Sequence, residues 1–83
     1  MKFKAEIDVM PLEALLDPQG KAVSQSMGNL GLSEITNVRI GKHIRIFIEA
    51  DSKEIAEAKT EEACKKLLVN EIMEGYTFTV TEA

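Results

Sequence analysis

The N-terminal residues alternate between apolar and charged side chains, and this pattern constrains the fold more than any other part of the sequence. One parity is apolar and the other is charged: Phe3, Ala5, Ile7 and Val9 against Lys2, Lys4, Glu6 and Asp8. A period of two is typical of a strand with one buried and one solvent-facing side. The chain therefore begins with a strand over residues 2–10, ended by Pro11, and something must cover its apolar face.

A helix is predicted to start at Asp17-Pro18. Aspartate is a favoured N-cap, and proline fits the first helical position because its missing N–H would have no partner there. An apolar stripe at helical spacing follows and consists of Val23, Met27 and Leu30. Gly31 is a natural C-terminal stop. Gly20 and Gly28 each cost such a helix about 1 kcal/mol relative to alanine, so packing must hold it.

Two further strands are predicted at about residues 34–40 and 44–50. Their apolar positions are Ile35, Val38, Ile40, Ile44, Ile46 and Ile48. Register follows the buried face, which favours a hairpin closed by residues 41–43 that pairs Ile40 with Ile44. That register places Arg39 and Arg45 together on the second face, beside Phe47.

A second helix is predicted from about residue 51 to residue 69. Asp51 and Glu54 have the spacing of a capping box. The apolar positions of its inner stripe are Ala56, Ala63, Cys64, Leu67 and Leu68. Gly75 interrupts the chain, and the alternating Tyr76, Phe78 and Val80 predict a last strand.

The predicted order is β-α-β-β-α-β in one domain spanning residues 1–83. This order indicates an α+β fold of ferredoxin-like type, with an antiparallel sheet and two helices on one face.

Composition excludes several classes of function. The net charge is −4, whereas nucleic-acid binding needs a basic face. No apolar run approaches the roughly 20 residues that span a membrane, and residues 1–4 are not followed by the apolar segment of a leader peptide. We therefore expect a cytoplasmic protein with neither a nucleic-acid nor a membrane partner. Cys64 is the single cysteine and lies in a helical apolar stripe, so it is interpreted as a core residue.

The sequence offers no convincing catalytic or metal-binding set. His43 is the only histidine, and in a predicted turn it is interpreted as solvated. A metal site or a catalytic triad needs several such groups brought together. The amides after Asp17, with Lys21, could bind an anion, but the Asp17 carboxylate would cap the same amides. Arg39, Lys42 and Arg45 form a small basic cluster that is either simply solvated or in contact with an acidic patch on another protein.

Three segments together resemble the PurS family. They are Leu16-Asp17-Pro18-Gln19-Gly20, Val38-Arg39-Ile40-Gly41-Lys42 and Cys64-Lys65-Lys66-Leu67-Leu68-Val69-Asn70, and the similarity extends over residues 2–80. The resemblance implies a small non-catalytic subunit of phosphoribosylformylglycinamidine (FGAM) synthase, a ligase of purine biosynthesis. Such subunits support assembly of the synthetase subunit PurL with the glutaminase subunit PurQ, and ammonia transfer between them. The resemblance also implies self-association as a homodimer or homotetramer.

The resemblance also implies roles for individual residues. Candidate partner contacts, with Arg45 added from the basic cluster, are Asp17, Gln19, Arg39, Lys42, Arg45 and Asn70. The alternative for Asn70 is a C-terminal cap of the second helix. The positions expected to be structural are Pro18, Gly20, Gly41 and Leu68. No cofactor is expected on this chain, whereas the complex would use ATP, Mg²⁺ and glutamine. Glu71 stands where the family often has proline, which leaves the end of the second helix open.

Two other classes of function share the predicted strand and helix order. A regulatory domain of ACT type would bind a small molecule such as an amino acid, and it usually accompanies a catalytic domain. An RNA-binding domain would need basic charge and aromatic side chains on the sheet, which this acidic chain with few aromatic residues does not offer.

Overall fold

A computed structural model describes the whole chain, residues 1–83. The elements in chain order are β1 (Lys2–Pro11), α1 (Pro18–Asn29), β2 (Lys42–Glu49), α2 (Lys53–Ala63) with a turn of π-helix over Cys64–Leu68, and β3 (Glu74–Glu82). The predicted α+β class and antiparallel sheet are confirmed. The sheet has three strands in the order β2-β1-β3 rather than four. None of the helices has the length and apolar character needed to cross a membrane.

Strand β1 is the centre of the core. Its alternation separates a buried from an open face as predicted: Phe3, Ala5, Ile7 and Val9 are buried. In the register, Ile7 lies between Ile44 of β2 and Phe78 of β3. The apolar residues of all three strands therefore share one face.

Helix α2 and the π-helical turn that follows it cover this face through Ala56 and Cys64, which are fully buried with the β1 side chains. Ser52, rather than the expected Asp51, is its N-cap, since the Ser52 hydroxyl accepts a hydrogen bond from the Ile55 amide. The predicted burial of Cys64 is confirmed. The predicted burial of Leu67 is wrong, because that side chain is 84% exposed.

The predicted strand over residues 34–40 is absent, and with it the hairpin and its three-residue turn. The amides of this segment bond to side chains instead: Val38 N–H donates to Ser24 Oγ, and Ile40 N–H donates to Asp17 Oδ2. Asn37 has a φ of 56°, a left-handed conformation that cannot continue a strand. Strand β2 consequently pairs with β1, not with its sequence neighbour.

Helix α1 stands away from the sheet. It makes no contact with any strand or with α2, so only α2 covers the face on which two helices were expected. The chain measures 52 × 25 × 14 Å, and its radius of gyration is 16.5 Å. A compact domain of this length would have a radius of gyration of about 12 Å. The protomer is therefore elongated, with α1 held only through the neighbouring loops.

Candidate functional site

The Asp17 carboxylate joins two of the sequence motifs. Its Oδ1 accepts a hydrogen bond of 3.0 Å from Gly20 N–H, and its Oδ2 accepts one of 2.9 Å from Ile40 N–H. These backbone hydrogen bonds, with that of Ile40 dominant, lower the pKa of Asp17. The N-cap interpretation is thus confirmed, and because both carboxylate oxygens are engaged, the helix start is not open to an anion.

Arg39 fixes the loop that precedes α1. Its Nη1 donates to the carbonyl of Leu15 at 3.1 Å, and its Nη2 donates to the carbonyl of Leu12 at 2.6 Å. Its Nε is buried without a partner. The guanidinium is therefore directed into its own chain, and Arg39 does not lie beside Arg45 as the hairpin would have required.

Gly20 and Gly41 lie where two backbones approach closely. A β-carbon at Gly20 would clash with the carbonyl oxygen of Val38, and one at Gly41 would clash with the carbonyl oxygen of Val9. Only glycine allows such an approach without displacement of the neighbouring backbone. Glycine is therefore required at both motif positions, because residues 38–41 pack closely against α1 and β1.

Asn70 forms a turn rather than a helix cap. Its Oδ1 accepts a hydrogen bond from Ile72 N–H, and its carbonyl accepts bonds from the amides of Met73 and Glu74. Val69 is already extended, with a φ of −125°, so the helix ends before Asn70. Glu71, in place of the family's proline, does not prolong the helix.

These segments meet around a cleft of about 400 Å³. Lys42 lies 3.6 Å from Glu74 in an ion pair at this cleft, and the amide of Leu12 bonds to the carbonyl of Met73. We call this cleft the motif cleft. It is lined by Pro11, Leu15, Leu16, Asp17, Pro18, Lys42, Asn70, Met73 and Glu74. Residues from all three motif regions therefore contribute to one concave surface.

The six candidate contact residues do not form one surface. Asp17, Lys42 and Asn70 line the motif cleft, Gln19 is exposed in the first turn of α1, and Arg39 is committed to loop carbonyls. Arg45 lies on the open face of the sheet. Leu68, among the positions expected to be structural, packs partly buried against the core.

Sequence reasoning missed the apolar part of the cleft. Leu16 is 74% exposed and Met73 is 52% exposed, and both lie outside any periodic stripe. The signal that could have identified Leu16 is its position in a loop, directly before the N-cap Asp17. A leucine there belongs to no apolar face of a helix or strand, so an exposed side chain could have been predicted.

The open face of the sheet carries a network of charged side chains. Arg45 Nε donates to Glu6 Oε1 at 2.8 Å, and His43 Nε2 lies 3.0 Å from the same oxygen. The hydrogen bond from Arg45, followed by that from His43, lowers the pKa of Glu6 to about 2. His43 is therefore part of β2 and of this network, not a solvated turn residue as expected. Phe47 on the same face is 58% exposed.

No group of three or more His, Cys, Asp or Glu side chains is placed to hold a metal ion. Burial raises the pKa of the Cys64 thiol, which disfavours the nucleophilic thiolate. The motif cleft offers a concave surface for contact.

Comparison with known proteins identifies the family. A family model described as "PurS: Phosphoribosylformylglycinamidine (FGAM) synthase" matches residues 4–82. The phosphoribosylformylglycinamidine synthase subunit PurS of Bacillus subtilis (strain 168) is 35% identical over 80 residues, covering 96% of this chain and 94% of the relative. The subunit of the same name from Synechocystis is 37% identical over 79 residues, covering 95% of this chain and 79% of the relative.

Comparison with solved structures identifies the same family. Bacillus subtilis PurS superposes with a TM-score of 0.85 at 35% identity, covering 96% of this chain and 99% of that one. A chain in the structure of PurLQS from Thermotoga maritima gives a TM-score of 0.88 at 31% identity, covering 98% of this chain and 99% of that one. These matches give no support to an ACT-type regulatory domain. Since the family model matches nearly the whole chain and the fold is shared, the chain belongs to the PurS family of phosphoribosylformylglycinamidine synthase subunits.

Proposed function

We propose that this chain is the small non-catalytic subunit of phosphoribosylformylglycinamidine synthase in purine biosynthesis. It supports assembly of the synthetase subunit PurL with the glutaminase subunit PurQ, and ammonia transfer between them. The observation that carries this proposal is the family match over residues 4–82, together with the likeness to a chain of the Thermotoga maritima PurLQS structure. ATP, Mg²⁺ and glutamine serve the complex and are bound by the other subunits. The complex acts in the cytoplasm, a reducing compartment in which a single cysteine such as Cys64 stays unpaired.

We assign contact with another subunit to the motif cleft. The centre of a protein interface is typically apolar with a polar rim. The cleft has this composition, since Leu15, Leu16 and Met73 lie beside the Lys42–Glu74 ion pair. The exposed fraction of Leu16, 74%, leaves a large side chain available to a partner. Arg45 and Gln19 lie outside the cleft and contribute less under this proposal.

The decisive experiment reconstitutes the synthase from the cognate PurL and PurQ subunits with and without this chain. Glutamine-dependent turnover should require the chain, whereas turnover with ammonia as the nitrogen donor should need it much less. The Leu16→Glu variant places a charge in the proposed contact and should bind the partners at least about tenfold more weakly, since full burial of a leucine contributes about 1.5–3 kcal/mol.

Ile55→Glu is the matched control. Ile55 is an exposed apolar residue in the first turn of α2, at the end of that helix away from Asn70, and its replacement should leave partner binding unchanged. Equal binding by Leu16→Glu and the wild-type chain would show that the cleft is not part of the interface. A chain that alters neither rate and does not co-elute with the partners would contradict the subunit role itself.

We further propose that the chain self-associates through α1 and the β2 side of the sheet. Two observations support this arrangement. Helix α1 contacts no other helix or strand, and Leu30, directly after it, is 73% exposed. The inward residues of β2, Ile44, Ile46 and Ile48, are only partly buried, whereas those of β1 are fully covered. A second copy that laid its α1 here would bury both surfaces.

Size-exclusion chromatography with light scattering tests this arrangement. The wild-type chain should have at least twice the protomer mass, and Leu30→Asp should weaken association about tenfold or more, by the loss of one buried leucine. Gln25→Asp changes an exposed polar residue of the same helix and should have no effect. A monomeric wild-type chain, or equal masses for all three proteins, would argue against α1 as the contact.

A further inference from the structure

His43 bridges two carboxylates of the neighbouring strand. Its Nδ1 lies 2.7 Å from Asp8 Oδ1, and its Nε2 lies 3.0 Å from Glu6 Oε1. Asp8 and His43 are directly opposite in the register of β1 and β2, and Glu6 is opposite Arg45. Both ring nitrogens thus point at acceptors that carry negative charge.

This geometry selects one protonation state of the ring. A carboxylate can only accept hydrogen bonds, and a neutral imidazole has one N–H and one lone pair. Neutral His43 could satisfy one carboxylate, while its lone pair would face the other at about 3 Å and repel it. Only the imidazolium donates to both.

We propose that His43 is a proton-operated clasp on the open sheet face, which joins edge strand β2 to β1 when the ring is protonated and loses one of its two bridges when the proton leaves. The strand on the other side of β1 does not take part, since β3 offers only Thr77 and Thr79 opposite Asp8 and Glu6. Because β2 has no second neighbour in the sheet, the clasp acts where a strand is held from one side only.

The other charged groups around the ring decide what remains after deprotonation. Glu6 keeps Arg45, whose Nε contacts both of its oxygens at 2.8 and 3.1 Å, and Lys4 Nζ is 4.0 Å away. Asp8 has no cation other than His43 in an ion pair. Loss of the proton therefore leaves Asp8 as the weakly held group and removes one positive charge from the open face.

The direction of the titration follows from these contacts. The hydrogen bond to Glu6, and next that to Asp8, raises the pKa of His43 above its ordinary value. A folded-state pKa above the unfolded one means that the stabilisation is fully present below about pH 6.5 and is lost as pH rises through the folded value. The clasp is thus closed in mild acid and opens as pH rises through the raised pKa of His43. Salt should weaken it, because exposed ion pairs are screened.

NMR titration of the intact chain tests the clasp without ambiguity, because His43 is the only histidine. The wild-type ring should titrate above pH 6.5. Asp8→Asn should move the midpoint back toward 6.5, while Glu82→Gln, a carboxylate on β3 without an ion pair, should leave it in place. A wild-type midpoint at or below 6.5, or one that Asp8→Asn leaves unmoved, would overturn the proposal.

Unfolding experiments provide a second readout. The melting temperature of the wild-type chain should exceed that of His43→Gln at pH 6, and the difference should shrink steadily by pH 9. A difference that does not depend on pH would show that His43 acts by packing alone. Should His43→Gln fail to fold, the titration of the wild-type, Asp8→Asn and Glu82→Gln chains decides the matter alone.

Discussion

Replacement of Gly20 by alanine is expected to lower the free energy of unfolding by about 3 kcal/mol or more. Overpacking typically costs 1–3 kcal/mol, and more where the surroundings cannot yield. Here the added β-carbon would meet the carbonyl oxygen of Val38 and the Asp17 carboxylate, and the backbone at Val38 cannot rotate aside as a side chain would. The variant would separate α1 from residues 38–41 and break the hydrogen bonds that Asp17 makes to both.

Gly28→Ala is the matched control in the same helix. A β-carbon at Gly28 would meet nothing within 4 Å, so alanine should raise the free energy of unfolding by up to about 1 kcal/mol through helix propensity. Urea unfolding at one fixed protein concentration measures both variants, since the proposed self-association would make apparent stability depend on concentration. Equal effects of the two substitutions would show that the close approach at Gly20 is not made in solution.

Ile7→Ala is expected to have the second large effect, a loss of about 2–5 kcal/mol in the free energy of unfolding. Ile7 is fully buried in the central strand. Its side chain lies between Ile44 and Phe78 of the two neighbouring strands. Truncation would leave a cavity in a part of the core to which all three strands contribute, and a core this small has little other apolar area to compensate.

Leu67→Ala removes a comparable number of atoms from an exposed site and serves as the control. Because Leu67 is 84% exposed, we expect a change within about 0.5 kcal/mol. Thermal or urea unfolding would measure both variants under identical conditions. A loss at Leu67 as large as that at Ile7 would mean that Leu67 is covered in the assembled protein, and measurement over a range of concentrations would reveal such a contact.

The sequence predicted well those features that depend on local chemistry. The alternation at Phe3, Ala5 and Ile7 is uninterrupted, and only a half-buried strand satisfies it. Asp17-Pro18 marked the start of α1 correctly, because cap preference and the proline geometry both act within one turn of helix.

The prediction of a hairpin failed because the spacing of apolar residues does not reveal which group a backbone amide will bond to. Val38 and Ile40 have the spacing of a strand, yet their amides bond to Ser24 and Asp17. Short polar side chains can compete with a strand partner for backbone groups. Here those side chains lie about 14 and 23 residues away in the chain, a separation that no local pattern encodes.

The error at Leu67 has a different physical reason. Extrapolation of a 3.6-residue period from Ala56 assumes an unbroken α-helix. The turn of π-helix over Cys64–Leu68 adds one residue, since the Val69 amide bonds to the carbonyl of Cys64. The apolar phase shifts accordingly, so that Val69 is buried and Leu67 faces outward.

The candidate site was predicted in its motifs but not in its assembly. Asp17, Lys42 and Asn70 were identified separately, and the structure brings them to one cleft. Arg39 was expected outside and is directed inward, where its guanidinium donates to the carbonyls of Leu12 and Leu15.

Because helix α1 is attached only through its N-terminal half, a small tilt there moves its far end. It is fixed through that half by the Asp17 carboxylate, by the contact of Gly20 with Val38 and by the hydrogen bond from Val38 N–H to Ser24 Oγ. The residues after Ser24, up to Asn29, extend about 8 Å beyond that point. A tilt of about 10° in the fixed half would therefore move the other end by about 1.4 Å, on the same helical rise. The position of the far end of α1, and of any surface that it meets there, is set by the contacts of Asp17, Gly20 and Ser24 with residues 38–40.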